Sequence, residues 1–113
     1  LDEFSTLSPN VVIAAGSDDY ISGIGTPMVP VIFKGNYIVG DVIIGRHCIV
    51  GSNSTILPNV MLAEGSTVGA NSLVKENLSP WTLYAGVPVK ELKKRDREEI
   101  LRLEKLYWES LDV

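Results

Sequence analysis

Branched aliphatic side chains stand at Ile38, Ile44, Val50, Ile56, Leu62, Val68 and Val74, each six residues after the last. Four residues beyond each of the first six comes a side chain of small or modest size: Val42, Cys48, Ser54, Val60, Ser66 and Ser72. The two series lie two residues apart across each boundary, and strand residues two apart share a face. Each unit therefore buries one branched and one smaller side chain and then bends. Glycine follows the aliphatic at Gly45, Gly51 and Gly69, supplying backbone freedom near the bend. A helix would require a spacing of three or four, and a flat strand unbroken alternation. Period six predicts short strands joined by corners and stacked into a solenoid, because such units bury their faces only against neighbours.

Leu1, Leu7 and Ile13 are also six apart and extend the pattern by about one further turn. Between Ile13 and Ile38 the spacing breaks. The stretch "AGSDDYISGIGTPMVPVIFKGNY", rich in Gly, Pro, Asp and Ser, predicts a loop thrown out from the coil, where ligand-contacting residues tend to sit. After Val74 the repeat dissolves, and "DREEILRLEKLYWESLDV" predicts a helix. Asp96 with Glu99 is an N-cap pattern, Ile100, Leu103, Tyr107 and Leu111 share a face, and Glu98 with Arg102 forms an i,i+4 pair. That helix is expected to close the last open coil or to pack on a neighbouring subunit.

Charge narrows the function. The chain has 113 residues, 45% of them hydrophobic, and a formal net charge of -4. An acidic balance opposes a broad nucleic-acid surface, so an anionic ligand must be met by a local basic cluster. Cys48 is the single cysteine, which rules out an intrachain disulfide. No apolar run approaches the roughly 20 residues that span a bilayer, and no stretch resembles a secretory signal, so a cytoplasmic protein is expected. The sequence starts at Leu1 in phase with the repeat and without methionine, as expected of a piece of a longer chain. Three histidine ligands for a metal cannot be drawn from a chain whose one histidine is His47, and no metal is expected.

The run of hexads, each an aliphatic, a glycine or small acid, two variable residues, a small residue and a variable one, resembles the hexapeptide-repeat acyltransferase family. The tail "AGVPVKELKK" resembles the A-G-x-P-x-K/R stretch with which many of its members end their coil. The resemblance implies an all-β fold: a left-handed parallel β-helix of triangular section, with three hexads per turn. It divides the chain into an acyltransferase coil over 1–94 and a C-terminal helix over 95–113. Within the first part, coils span 1–15 and 38–79, the loop about 16–37, and a coenzyme A-binding tail 80–94.

It further implies acetyl-CoA as acyl donor. Gly86 and Pro88 shape a tight turn, and Lys90 and Lys93 offer mobile charges to the phosphates of coenzyme A. Ser52 and Ala70, one coil apart in "VGSNS" and "VGANS", fall where related enzymes lay the pantetheine arm, and Lys75 falls where relatives place a cofactor contact. For Ser52 and Ala70, a plain demand for small corner residues is an equal reading.

Acyl transfer to a hydroxyl calls for a general base, most often histidine. His47 is a candidate, but it lies at a variable hexad position, whereas sugar and xenobiotic O-acetyltransferases of the family carry their histidine in the projecting loop. Here that stretch reads "GSDDYISG" and offers Asp18 and Asp19 instead. These aspartates either accept a proton or orient an amino sugar, or they form a turn on their own backbone. An amine acceptor needs less help from a base than a hydroxyl. The loop resembles those of transferases in surface-polysaccharide, including lipopolysaccharide, and nucleotide-sugar biosynthesis. The expectation is therefore acetyl transfer to a sugar or nucleotide-linked amino sugar by a homotrimer with the cofactor cleft between adjacent coils. Two alternatives stand beside it. One is a galactoside, maltose or xenobiotic O-acetyltransferase whose histidine lies in a missing N-terminal part, and the other is a non-catalytic repeat module.

Overall fold

A computed structural model describes residues 1–14, 16, 17, 22, 23, 35 and 38–111. Along the chain run β1 (Thr6–Leu7), β2 (Val12–Ile13), β3 (Gly16–Ser17), β4 (Ile38–Val39), β5 (Ile43–Ile44), β6 (Ile49–Val50) and β7 (Thr55–Ile56). There follow β8 (Met61–Leu62), β9 (Thr67–Val68), β10 (Leu73–Val74), β11 (Thr82–Gly86), β12 (Val89–Lys94) and the helix α1 (Arg97–Ser110). Two-residue strands are what a six-residue unit leaves once its corner is subtracted.

The strands stack in parallel. Ile43 pairs with Met61, Ile49 with Thr67 and Thr55 with Leu73, so one turn of the coil takes 18 residues, or three hexads. The N-terminal segment joins in register across the long insertion, with Thr6 on Ile49 and Val12 on Thr55. At the foot of that insertion β3 and β4 pair antiparallel, Gly16 opposite Val39. Asp18 and Asp19 lie outside the described residues. Inside the coil, Ile44, Val50, Ile56, Leu62, Val68 and Val74 are buried, as are Cys48, Ser54, Val60, Ser66 and Ser72 of the second series.

The corners follow a third sixfold series. His47, Asn53, Asn59, Gly65 and Asn71 all have left-handed backbone, with φ between 56° and 78°, and Phe4, Asn10 and Trp81 repeat it in the outer coils. Asparagine suits this conformation because its short polar side chain lowers the cost that other L-residues meet there.

Of the two roles expected of the C-terminal helix, closing the last coil is not the one the structure shows. The edge beside the last coil is taken by β12, which turns back antiparallel on β11, with Ala85 opposite Lys90 and Leu83 opposite Lys93. Helix α1 does not close the coil; it lies against one corner, in reach of Phe4 of the first coil and His47 of the next. Asp96 caps it, its Oδ1 accepting the Glu99 N–H at 3.0 Å. Arg102 forks onto Glu99 at 2.6 and 2.9 Å rather than onto Glu98, because three residues back is as near on a helix surface as four. The apolar stripe is only partly covered: Leu103, Tyr107 and Leu111 remain exposed.

Candidate functional site

Two corners of the coil carry side chains that the core does not require. The first gathers Ser52, Ala70 and Gly86. Asn71 N–H donates to the Ser52 carbonyl at 2.8 Å, stacking the "VGSNS" and "VGANS" corners directly. The close approach depends on Gly51, where an added Cβ would lie 2.5 Å from the Ala70 nitrogen. Gly69 sits under Ala85 in the same manner, a Cβ there falling 3.1 Å from the Ala85 Cβ. The next layer up is therefore the end of β11, where Gly86 has φ 115°, with the turn beyond it that contains Pro88. Ala70, Gly86 and Pro88 are exposed and Ser52 is half-buried.

Two buried hydroxyls tie these layers. Ser54 Oγ donates to the Gly69 carbonyl at 3.0 Å and accepts the Ser72 N–H at 3.2 Å. Ser72 Oγ donates to the Ala70 carbonyl at 3.3 Å and accepts the Gly86 N–H at 3.1 Å. On β12, Lys90 stands next to this turn, opposite Ala85, and Lys93 further along, opposite Leu83; both are exposed. Lys75 is exposed too, but it stands past β10, at the following corner, and not on the Ser52–Ala70 edge.

The second corner is aromatic. Phe4 stacks on His47 with centroids 5.0 Å apart and rings 4° from parallel, and His47 meets Trp81 at 5.7 Å. Gly65 lies between them in the column, and its missing side chain leaves the space the indole takes: a Cβ there would come within 2.2 Å of the Trp81 ring. Arg95 reaches in from the end of β12. Its guanidinium donates to the His47 carbonyl at 2.7 Å and the Gly65 carbonyl at 2.8 Å, and lies 5.7 Å from the Trp81 centroid. Burial lowers the Arg95 pKa from its ordinary value.

Glu104 of α1 closes this corner. Its carboxylate accepts from His47 Nε2 at 2.5 Å, from Arg46 at 2.6 Å and from the Trp108 indole N–H at 3.0 Å. The bonds from His47 and Trp108, with Arg46 adding to them, hold its pKa at about 2. The same bond to Glu104 raises the Arg46 pKa. A groove of about 250 Å³ remains between helix and coil, lined by Phe4, His47, Ile100, Leu103, Glu104 and Tyr107. His47 is thus buried and committed on both ring faces and at Nε2, and it sits at a different corner from Ser52 and Ala70. Sequence reasoning passed over Ser72, Arg95 and Glu104. Only the last two positions of the column, Trp81 and Gly65, carry a visible signal, a large residue above a glycine.

The parallel coil of hexads, its small-residue edge and the closing turn together define a class of protein, and comparison with known proteins bears on it directly. No protein-family model matches the chain. It is 36% identical over 109 residues to the dTDP-4-amino-4,6-dideoxy-D-glucose acyltransferase of Escherichia coli, covering 95% of this chain and 55% of that protein. Among solved structures, AntD, an N-acyltransferase from Bacillus cereus in complex with dTDP and 3-hydroxybutyryl-CoA, superposes with a TM-score of 0.91 at 39% identity. That match covers 97% of this chain and 58% of AntD. A maltose O-acetyltransferase from Clostridium difficile 630 shares the fold, with a TM-score of 0.66 at 22% identity over 82% of this chain and 46% of its own.

The chain belongs to the hexapeptide-repeat acyltransferase family. It spans somewhat over half the length of the E. coli enzyme and of AntD, 55% and 58% respectively.

Proposed function

We propose that the protein transfers an acyl group from acyl-CoA to the amine of a nucleotide-linked amino sugar. The observation that supports this best is the continuity of the likeness: 109 residues align with an aminosugar acyltransferase, through the coil, the insertion and the closing turn alike. The acceptor nitrogen attacks the thioester carbonyl, the carbon–sulfur bond breaks, and the departing thiolate takes up the proton that the nitrogen loses. An amine needs little activation for this attack. The carboxylate of Asp18 or Asp19 orients the amino group or relays its proton. His47, already bonded to Glu104, is read as part of the scaffold.

On this reading the pantetheine arm lies along the Ser52–Ala70–Gly86 edge, with Pro88 shaping the turn. Lys90 and Lys93 meet the phosphates, and Lys75 at the next corner is the outlying contact. The coil is left-handed, as hexapeptide coils are, and the cofactor cleft forms between coils of adjacent subunits in a homotrimer. Outward-facing Ile43, Met61 and Val12, all exposed, supply apolar surface for such an assembly. Synthesis of surface polysaccharide, including lipopolysaccharide, in the cytoplasm is the setting in which this acceptor class is used.

Acyl-CoA consumption measured against dTDP-linked 4-amino sugars, free amino sugars and plain sugars tests the proposal. Turnover confined to the nucleotide-linked amines is the expected outcome. Turnover only with plain hydroxyl acceptors, or none with any, would overturn it.

A further inference from the structure

The buried serines in the interior of the coil are not equivalent. Ser54, Ser66 and Ser72 occupy the same hexad position, where Val42, Cys48 and Val60 also stand, so the site itself asks only for a modest volume. Ser66 Oγ lies 3.3 Å from the Cys48 sulfur, at the aromatic corner, in a wholly interior contact. Ser72 Oγ instead joins two exposed segments. It donates its proton to the Ala70 carbonyl and accepts that of the Gly86 amide, whose residue lies beyond the last pairing of β11 with β9, Tyr84 on Val68. With φ 115°, Gly86 has a backbone that few other residues hold, and the serine hydroxyl fixes where its peptide plane sits. Ser54 supports the arrangement from below by accepting the Ser72 N–H.

We propose that Ser72 is a positioning residue for acyl-CoA: it sets the spacing between the Ala70 and Gly86 layers and so keeps the edge along which the acyl donor lies in one geometry. This rests on the cofactor placement proposed above. Ser72 is 4% exposed and acts through the two backbones it bridges. A hydroxyl serves where valine or cysteine would fill the space, because it alone both gives and takes a strong hydrogen bond.

The test compares Ser72→Ala with Ser66→Ala, which deletes a hydroxyl from the same hexad position at the other corner. Coenzyme A binding is read by calorimetry, with KM for acyl-CoA and for the acceptor, and thermal unfolding. Loss of both hydrogen bonds of the Ser72 hydroxyl is expected to raise Kd and KM for acyl-CoA at least about fivefold in Ser72→Ala. KM for the acceptor should stay unchanged, and Ser66→Ala should keep wild-type affinity. Should Ser72→Ala not fold, Ser72→Cys takes its place, since Cys48 shows that the coil holds cysteine at this position. Wild-type affinity in the Ser72 variant, or an equal loss in Ser66→Ala, would overturn the proposal. Absence of coenzyme A binding to the unaltered protein would overturn the functional reading and this proposal with it.

Discussion

Replacing Gly65 with alanine tests the account of the aromatic corner. Gly65 holds φ 78°, a backbone that costs an L-residue about 1–2 kcal/mol. The added methyl would also lie 2.2 Å from the Trp81 ring, so the indole must move away from its contacts with His47 and Arg95. Forced overpacking of this kind costs about 1–3 kcal/mol. Together these give a loss of about 2–5 kcal/mol, a large part of what holds a domain of this size folded. Gly69→Ala is the contrasting change. No positive φ applies there, and the nearest atom, the Ala85 Cβ at 3.1 Å, would need to shift by only a few tenths of an ångström. Its expected cost is under about 1 kcal/mol. Urea unfolding followed by far-UV circular dichroism gives both values, and near-UV dichroism reports the tryptophan environment. A Gly65→Ala protein with wild-type stability and an unaltered near-UV spectrum would refute the argument that Trp81 fills the space the glycine leaves.

Glu104 makes the docking of α1 acid-sensitive. Its folded pKa of about 2 lies below the ordinary carboxylate value of 4.5, so its contribution is complete above about pH 4.5 and is lost as pH falls toward 2. Trp108 fluorescence should report release of the helix across that window, and Glu104→Gln should flatten the profile at a lower starting stability. Replacing Lys90 and Lys93 together with alanine should weaken coenzyme A binding, and the deficit should shrink as salt rises, because exposed charges are screened. An affinity unchanged at low salt would count against the placement of the phosphates. Asp18→Asn and Asp19→Asn should lower turnover more than they lower coenzyme A affinity; full activity in both variants would leave those aspartates as turn formers.

The coil was legible because its selection is dense and periodic. Each aliphatic from Ile44 to Val74 has its neighbours one turn away in the same interior, so the sixfold return is a direct image of the stacking. The corner conformation was harder to read because it tolerates several chemistries. His47, two asparagines, Gly65 and Asn71 satisfy the same φ, and mixed identities hide a period that is present all the same. The docking of α1 on the aromatic corner is not legible in the sequence for a related reason. Its apolar stripe shows which residues share a face, but the contact is made by Tyr107 of that stripe, on Phe4, together with Glu104 and Trp108, two residues that hydrophobic periodicity does not weigh. Ser72 looked like one of several interchangeable small residues. Only the turn returning at Gly86, contributed by a strand pair outside the repeat, distinguishes it.

The antiparallel return of β12 also covers one face of the coil's last edge. A parallel coil exposes at its last strand a row of unpaired amide groups, to which another molecule's strand can add. Here that row is occupied on one face by a strand of the same chain running in the opposite sense, among whose exposed residues are Lys90, Glu91, Lys93 and Lys94. Charges so placed repel the next strand that would extend the stack. Replacing Lys90 and Lys93, the lysines proposed to meet the cofactor's phosphates, would therefore also strip charge from the edge to which a further strand could add.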